Sequence, residues 1–448
     1  MNTCKAAVEK HRDLIISTFE YIWKHPETGY REWETHRYLK EVFESLGYEV
    51  TETDGIPGFY AEADTGKDGP TIIIFAEMDA LVVPSHPEAN PETGAVHACG
   101  HCTQTAAIVG IAAALKEDGI MDGLCGKVRM VVVPAEEGIE SEFRSDLVKK
   151  GVIRYTSGKV EFLYRGMLDG GDMAFMIHAD VAGKHHGSMN GGSNGLIAKY
   201  ACFEGVSAHA GGLPHKGINA LYAANNALNT INALRETFED SQHIRVHPIV
   251  SCGDTSVNVI PDRVTLETFV RGATMDAIVQ ANRKINRAIA ASAAGMGAKV
   301  HISDTQSMWP RWNDRVMMPV FRSAMEEVLE DVNCGPERWN AGCSDMGDMA
   351  SIMPTIQAYV GGANGTEHGN NYTITDVDTA CVDSAKIQLV AIKLFLENGA
   401  EKAKQAIEAY KPYFRNKEEY FAYIDRILKE YDAVKYEEDG TVTLDVRM

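Results

Sequence analysis

The chain has neither a long apolar run nor a surplus of positive charge. None of its 448 residues lies in an apolar run of the roughly 18 residues that a membrane span needs. Its formal net charge of −20 argues against nucleic-acid and anionic-membrane partners, because both need a basic face. The amino terminus, "MNTCKAAVEKHRDLI", has the charges of an amphipathic helix and lacks the apolar core of a signal peptide. We therefore predict a cytoplasmic protein that binds neither nucleic acid nor membrane.

The chain also lacks a disulfide framework, internal repeats and low-complexity tracts. Its nine cysteines are odd in number and scattered, which favours reduced thiols. A length of 448 residues predicts more than one domain.

Three apolar runs end in residues capable of chemistry. "TIIIFAEMDA" (71–80) ends in an aspartate, "VRMVVVPAEEG" (128–138) in two glutamates and "DMAFMIHAD" (172–180) beside a histidine. An alanine-rich helix is predicted between the first two. Apolar strands separated by helices indicate an α/β domain with a largely parallel sheet, whose ligands bind beyond the carboxyl ends of the strands.

A different pattern follows the glycine-rich stretch 185–196. Between about 197 and 302 the order strand, helix, strand, strand, helix, strand predicts a compact βαββαβ unit. The α/β pattern resumes after 310, with a last core strand in "TIQAYVGGANG" (355–365). We therefore predict a catalytic domain split into 1–190 and 304–448, the second part with a helical carboxyl-terminal tail, and an insertion at 191–303.

The sequence "HACGHCTQTA" (97–106) contains the tetrapeptide C-G-H-C, which is the motif of disulfide isomerases. A redox cysteine needs a helix amino terminus, and a helix does follow Cys102. The motif nevertheless stands outside a thioredoxin-like βαβ context, and no tryptophan precedes Cys99. Disulfide chemistry is the less favoured interpretation.

A metal site is the favoured interpretation, because donors of the right kinds gather at several predicted strand ends. A thiolate, imidazoles and a carboxylate suit zinc or manganese. Adjacent side chains at a strand end point to different sides, so Glu136 can address the attacking water while its neighbour binds metal. Any one of these residues alone would be read as an ordinary polar side chain. The candidate ligands are Cys99, His101, Glu137, His178 and His368.

Seven segments, taken in order, make the chain resemble the metal-dependent amidohydrolases of the peptidase M20 family. They are "EMDAL", "HACGH", "PAEEG", "MIHAD", "AHAGGLPHKGINAL", "NVIPD" and "GTEHG". Within the family, the chain resembles the aminobenzoyl-glutamate hydrolase and acyl-amino-acid amidohydrolase branch. The segments "IWKHPETGYRE" and "CSDMGDMASIMP" resemble the B-subunit type of aminobenzoyl-glutamate hydrolases in particular. The resemblance implies that the inserted βαββαβ unit, which is ferredoxin-like, is a lid and dimerisation domain. It also implies that the five candidate ligands hold two divalent ions, with Glu136 as the base.

The resemblance assigns roles to four further residues. Asp79 would support the metal site and orient the base, and His209 would polarise the scissile carbonyl, often from the partner subunit. Asn258 and Arg271 would hold the substrate's carboxylate, which suits an arginine fork. A surface ion pair is the alternative for Arg271, and a capping role is the alternative for His209.

Two positions depart from the common family form H-A-C-G-H-D-x-H. Here Cys102 replaces the aspartate and Gln104 replaces the second histidine. Neither belongs to the implied ligand set, so hydrolysis is expected to survive. The departures bear on metal preference and on the substrate.

The sequence thus predicts a homodimeric, two-metal amidohydrolase that uses zinc or manganese. Its expected substrate is a small N-acyl or N-aroyl amino acid with a free carboxylate, similar to aminobenzoyl-glutamate, and a dipeptide is the alternative. Two other classes stay open: a cysteine-based thiol enzyme and a non-catalytic binding protein.

Overall fold

A computed structural model describes residues 1–253 and 255–446, in which helices and strands alternate along most of the chain. The α-helices, in chain order, are α1 (Asn2–Lys10), α2 (Arg12–Lys24), α3 (Trp33–Ser45), α4 (His101–Leu115), α5 (Ser141–Lys149), α6 (Gly158–Tyr164), α7 (Ala220–Leu234), α8 (Met275–Gly295), α9 (Met317–Glu326), α10 (Met346–Ala350), α11 (Ser384–Leu396), α12 (Glu401–Ala409) and α13 (Lys417–Ile427). Short 3₁₀ segments lie at Pro214–Lys216, Arg235–Thr237, Asp240–Gln242 and Asn398–Ala400, and a π-helical turn lies at Asp378–Asp383.

The strands are of two kinds, long core strands and short edge or hairpin strands. In chain order they are β1 (Val50–Glu52), β2 (Phe59–Asp64), β3 (Thr71–Glu77), β4 (Leu81–Val82), β5 (Ala95–Val96), β6 (Lys127–Val133), β7 (Met173–Ala179), β8 (His186–Ser193), β9 (Gly195–Glu204), β10 (Arg245–Val246), β11 (Ile249–Ser251), β12 (Arg263–Gly272), β13 (Lys299–Met308), β14 (Arg311–Trp312), β15 (Asp331–Asn340), β16 (Thr355–Val360), β17 (Ala363–Asn364), β18 (Thr373–Ile374), β19 (Glu430–Asp432), β20 (Val434–Tyr436) and β21 (Val442–Leu444).

The chain divides into two units. The first unit comprises Met1–Gly192, Trp312–Trp339 and Asp348–Arg415. The second comprises Ser193–Arg311, Asn340–Gly347 and the residues from Asn416 onward. The second unit therefore takes in segments beyond the insertion predicted at 191–303, notably the tail that the sequence assigns to the catalytic domain.

A nine-stranded sheet forms the centre of the first unit. Its order is β1-β2-β6-β3-β7-β16-β8-β14, with β15 also paired to β8. The four central strands β6, β3, β7 and β16 are parallel, and the flanking pairs β1–β2, β2–β6 and β16–β8 are antiparallel. Every residue of β3 and β7 is buried, because strands inside a parallel sheet are covered on both faces. The predicted α/β fold with a largely parallel sheet is confirmed.

Helix α4 lies in the middle of the main core. All fifteen of its residues are buried, as expected for a helix that is apolar on every side. The helix packs against α2, α11 and strand β3, and its alanines allow these close approaches. Since α4 begins at His101, the same packing fixes the position of the residues at its amino terminus.

The second unit has a sheet of order β10-β12-β9-β13-β19, with β11 also paired to β12. Helices α7 and α8 pack together and cover this sheet. Apart from the two-residue strand β10, the order β9, α7, β11, β12, α8, β13 is the βαββαβ arrangement that the sequence predicts over this region.

The carboxyl-terminal segment adds an edge strand to the second unit. In the antiparallel pair β13–β19, Ile302 lies opposite Tyr431 and His301 opposite Asp432. Helix α13 buries Tyr420 and Ile424. Among the described residues, no helix combines the length and the hydropathy that a bilayer crossing requires.

Candidate metal centre

The candidate site lies at the carboxyl ends of the central parallel strands of the first unit. Asp79 follows β3, and Glu136 and Glu137 follow β6. His178 is the penultimate residue of β7. Parallel strands in register end at one edge of a sheet, and Glu77 of β3 pairs with Val133 of β6 at that edge. The topology therefore gathers residues that lie far apart in the sequence.

The turn before α4 places Cys99 and His101 at this edge. Gly100 between them has φ +86°, a left-handed conformation that favours glycine. A Cβ at Gly100 would lie 2.5 Å from Oη of Tyr372, so the turn has no room for a side chain. The Cys99 Sγ atom lies 3.4 Å from Nε2 of His178.

Both buried histidines use Nδ1 for a protein contact and leave Nε2 for the site. Nδ1 of His101 lies 2.9 Å from the backbone oxygen and 3.1 Å from Oδ1 of Asp79. Nδ1 of His178 lies 2.6 Å from the backbone oxygen of Ala179. Such contacts fix the ring orientation and tautomer of metal-binding histidines. The arrangement therefore suits Nε2 coordination by both rings.

A strained turn presents the two glutamates. Ala135, just before them, has φ +55°, and its backbone N–H donates to Oε1 of the buried Glu32 over 2.8 Å. The Glu137 backbone N–H donates to Oδ2 of Asp79 over 2.8 Å. The Asp79 carboxylate therefore contacts the ring of His101 through Oδ1 and accepts the backbone N–H of Glu137 through Oδ2.

His368 reaches the site from the loop after β17. It has φ +62°, and its backbone N–H donates to the oxygen of Ala98 over 2.9 Å. Its Nε2 atom lies 3.4 Å from Oε1 of Glu137. Half of the His368 side chain is exposed, whereas the other candidate ligands are buried.

Within the first unit, the donor atoms form three overlapping groups that include the candidate ligands, and the atoms of each group lie within 4.8 Å of one another. The groups are Cys99, His101 and His178; His101, Glu136 and Glu137; and Cys99, Glu367 and His368. Nε2 of His101 and Oε1 of Glu137 are buried and have no hydrogen-bond partner among the described residues. Buried polar atoms normally have a hydrogen-bond partner, so two such atoms without one, amid sulfur, nitrogen and oxygen donors, fit a divalent ion.

Burial and neighbouring charges shift the pKa values of the site. Burial raises the pKa of the Cys99 thiol well above its usual value, and the nearby Glu137 raises it further. Burial also raises the pKa of Cys102, which packs in the main hydrophobic core. For Asp79, burial acts to raise the pKa, but the hydrogen bond and charge of His101, the charge of Arg144 and the Glu137 backbone N–H together outweigh it and lower the pKa to about 2. Asp79 is therefore a carboxylate at neutral pH.

The residues that the family resemblance assigns to substrate lie in the second unit. His209 is exposed, and its Nδ1 atom accepts backbone hydrogen bonds from Gly211 and Gly212 at 3.1 and 3.0 Å. Asn258 is exposed, and its Oδ1 accepts a hydrogen bond from Ser256 over 2.5 Å. Arg271 is half-buried on β12, with its guanidinium 5.3 Å from the ring centre of Phe269.

Sequence reasoning missed two residues beneath the site, Glu77 and Lys159. Glu77 is wholly buried and forms ion pairs or hydrogen bonds with Lys159, Gln104 and His101. Burial acts to raise the pKa of Glu77, but Lys159 and His101 outweigh it and lower this pKa. Glu77 is the last residue of β3 and Asp79 lies two residues further on. This spacing was the available signal, since residues two apart in an extended chain share a face. For Lys159 no sequence pattern was available, because the sequence alone does not distinguish a buried lysine of α6 from an exposed one.

The sequence of the chain is similar to a known protein family and to several characterised enzymes. The profile of peptidase family M20/M25/M40 matches residues 73–393. The N-acetyl-L-cysteine deacetylase of Bacillus subtilis (strain 168) is 26% identical over 397 residues, which cover 86% of this chain and 89% of that protein. One of the p-aminobenzoyl-glutamate hydrolase subunits of Escherichia coli (strain K12) is 30% identical over 329 residues, 69% of each chain.

A solved structure shares the fold. It is a dinuclear metal-binding peptidase of the M20 family from Bacillus subtilis, with a TM-score of 0.61 and 23% identity over 87% of this chain and 98% of that one. The family match covers most of the chain and includes all five candidate ligands. The chain therefore belongs to peptidase family M20/M25/M40 and is a hydrolase of amide bonds.

Proposed function

We propose that the chain hydrolyses the amide bond of an N-acyl or N-aroyl amino acid, similar to aminobenzoyl-glutamate, with two divalent ions of zinc or manganese. Cys99, His101, Glu137, His178 and His368 would hold the ions. The observation that carries the proposal is the convergence of these donors on one sheet edge, where His101 Nε2 and Glu137 Oε1 are buried without a hydrogen-bond partner among the described residues. Relatives named for N-acyl and N-aroyl amino acids support the substrate class.

The ions, when bound, would polarise the amide carbonyl and make water a stronger acid. Glu136 would accept the proton of the attacking water and return it to the leaving amine. Its backbone supports this role, because the turn at Ala135 sets Glu136 and Glu137 side by side at the strand end. Both side chains are buried, which keeps bulk water away from the proton transfer.

Residues of the second unit would recognise the substrate. The two glycine amides that donate to Nδ1 of His209 leave its Nε2–H free to stabilise the developing oxyanion. Asn258 and Arg271 would bind the substrate's carboxylate through charge-assisted hydrogen bonds. By family resemblance, the chain would act as a homodimer in which one subunit supplies His209 to the other.

Burial weighs against the thiol-enzyme alternative. A nucleophilic or redox cysteine needs a lowered pKa and access to substrate. Cys99 and Cys102 are both buried, and burial raises the pKa of each thiol. Metal coordination, by contrast, deprotonates a thiol directly. The site therefore suits Cys99 as a ligand and Cys102 as a core residue.

The test is a substrate screen with metal-stripped and reconstituted protein. N-acyl amino acids, N-aroyl amino acids and dipeptides are incubated with protein that holds no metal, zinc or manganese, and the released amine is quantified. We expect hydrolysis only after reconstitution and faster turnover of N-aroyl or N-acyl substrates than of dipeptides. Metal-independent turnover would contradict the proposal, and a preference for dipeptides would replace its substrate class.

A further inference from the structure

We propose that Glu77 is an additional ligand of the metal site and that Gln104 and Lys159 orient its carboxylate. The inference rests on the proposed function, because it assumes that the site binds divalent ions. It assigns a metal-binding role to a residue outside the five donors that the family resemblance implies.

The first argument is the position of Glu77 beside His101. Oε2 of Glu77 lies 3.2 Å from Nε2 of His101, and both side chains are 1% exposed. The two atoms form no hydrogen bond, and Nε2 has no such partner among the described residues. Two donors that each lie about 2.1 Å from one ion are roughly 3.0–3.4 Å apart at octahedral to tetrahedral angles. The observed separation is that of two neighbouring ligands of one ion.

The second argument is that Gln104 forms two hydrogen bonds with Glu77. Nε2 of Gln104 donates to Oε2 of Glu77 over 2.8 Å, and Oε1 of Gln104 accepts the Glu77 backbone N–H over 3.1 Å. Gln104 lies three residues after His101 on α4. The first turn of this helix therefore supplies both a candidate ligand and the residue that fixes the Glu77 carboxylate. A ligating carboxylate is commonly fixed by hydrogen bonds of this kind. These hydrogen bonds give a role to Gln104, one of the two positions at which the chain departs from the common family form.

The third argument is the buried charge of Lys159. Its side chain is wholly buried on α6, and Nζ donates to Oε1 of Glu77. The contact leaves Oε2 as the oxygen that faces His101. A carboxylate oxygen has enough lone pairs to accept the Gln104 hydrogen bond and also bind an ion. Lys159 is therefore a positioning residue that fixes which oxygen of Glu77 faces the metal site.

The variants must separate loss of a ligand from loss of a buried ion pair. Glu77→Gln alone would remove the carboxylate that neutralises the buried ammonium of Lys159, which can prevent folding. The double variant Glu77→Gln/Lys159→Met removes both charges and keeps similar volumes. A matched control exists in the second unit, where Lys199 and Asp304 form another wholly buried ion pair. The control variant is Lys199→Met/Asp304→Asn, and Lys159→Met tests positioning alone.

The experiment titrates Zn²⁺ into chelator-stripped protein in competition with a chromophoric chelator. Circular dichroism checks folding, and the absorption spectrum of Co²⁺-loaded protein reports ligand geometry. For wild type and the Lys199 control we expect two tightly bound ions. For the Glu77 double variant we expect at least a tenfold higher Kd for one ion and a changed Co²⁺ spectrum. Lys159→Met should still bind two ions, with a smaller rise in Kd than the double variant.

Two results would overturn the assignment of Glu77. One is a folded double variant with the zinc affinities and Co²⁺ spectrum of wild type, since Glu77 would then only neutralise Lys159. The other is an equal loss of affinity in the Lys199 control. Wild-type protein that binds no ion would overturn both proposals. Wild-type protein that binds two ions without hydrolysing any screened amide would overturn only the proposed function.

Discussion

Oδ1 of Asp79 lies 3.1 Å from Nδ1 of His101, and this contact leaves Nε2 as the ring nitrogen available to a metal ion. The Nε2 atom is buried and has no hydrogen-bond partner among the described residues. The second oxygen of Asp79 accepts the backbone N–H of Glu137. One carboxylate thus organises two candidate ligands that come from different elements of the sheet edge.

Asp79→Asn should therefore weaken metal binding without removing a ligand. An amide at this position cannot accept hydrogen bonds through both of its ends, so either His101 or Glu137 loses its contact with this side chain, although the backbone oxygen of residue 79 still lies 2.9 Å from Nδ1 of His101. We expect zinc affinity to fall about 10–100-fold, as for other residues that orient metal-binding histidines. Isothermal titration with Zn²⁺ measures this, with the exposed Asp118→Asn as control. Unchanged affinity in Asp79→Asn would show that His101 and Glu137 are positioned without the Asp79 carboxylate.

Gly100→Ala should destabilise the first unit. A non-glycine residue at φ +86° costs about 1–2 kcal/mol, and the new Cβ would also lie 2.5 Å from the Tyr372 hydroxyl oxygen. Gly66→Ala is the matched control, because Gly66 has φ +69° and a Cβ added there would meet no other atom within 4 Å. Thermal unfolding should show a larger fall in midpoint for Gly100→Ala than for Gly66→Ala. Equal falls would mean that Tyr372 moves aside without cost.

Acid should remove a stabilising contribution of His36. Burial lowers the pKa of this histidine below its usual 6.5, against the raising effect of Glu52. Its Nδ1 atom accepts the Gly58 backbone N–H over 2.9 Å, which the neutral ring allows. The contribution is therefore fully present above pH 6.5 and lost as pH falls through the lowered pKa. We expect His36→Gln to flatten the decline in unfolding free energy between pH 7 and 5, by at most about 1.4 kcal/mol per pH unit.

His301 provides a control of opposite sign for that measurement. Burial lowers its pKa, but hydrogen bonds to Asp432 and Glu430 outweigh burial and raise it. Its contribution is present below pH 6.5 and lost as pH rises through the raised pKa. The ion pairs of His301 with Glu430 and Asp432 of β19 are partly exposed, so their contribution to the unfolding free energy is small. His301→Gln should remove the fall in unfolding free energy that this histidine contributes as pH rises from about 6.5 to about 8. A response of both variants with the same sign would contradict the assigned shifts.

The central sheet could be predicted because its strands are apolar throughout. "TIIIFAE" and "MAFMIHA" are wholly buried strands, and their lengths left little choice between helix and strand. The candidate donors could be predicted for the same reason, since parallel topology collects the residues at strand carboxyl ends. The motifs of the family resemblance then separated these donors from ordinary polar residues.

The contacts made across long sequence distances could not be predicted. Lys159 donates a hydrogen bond to Glu77, which lies 82 residues earlier in the sequence. The residues around Lys159 in the sequence do not indicate that its side chain is buried. The charge-rich tail gave no sign that Tyr431 would pair with Ile302 of the second unit, because edge pairing depends on which strand the folded sheet leaves open. Gln104 stood out in the sequence as a departure, but its partner Glu77 became visible only in the structure.

The most direct test of the proposed mechanism is Glu136→Gln, measured for turnover and zinc content together. The substitution keeps the size and hydrogen-bonding shape of the side chain and removes its ability to accept a proton. Because general-base catalysis contributes about 10²–10⁴-fold, we expect turnover to fall by at least that lower factor while zinc stoichiometry stays at the wild-type value. Turnover within tenfold of wild type at full zinc content would contradict the role of Glu136 as the base.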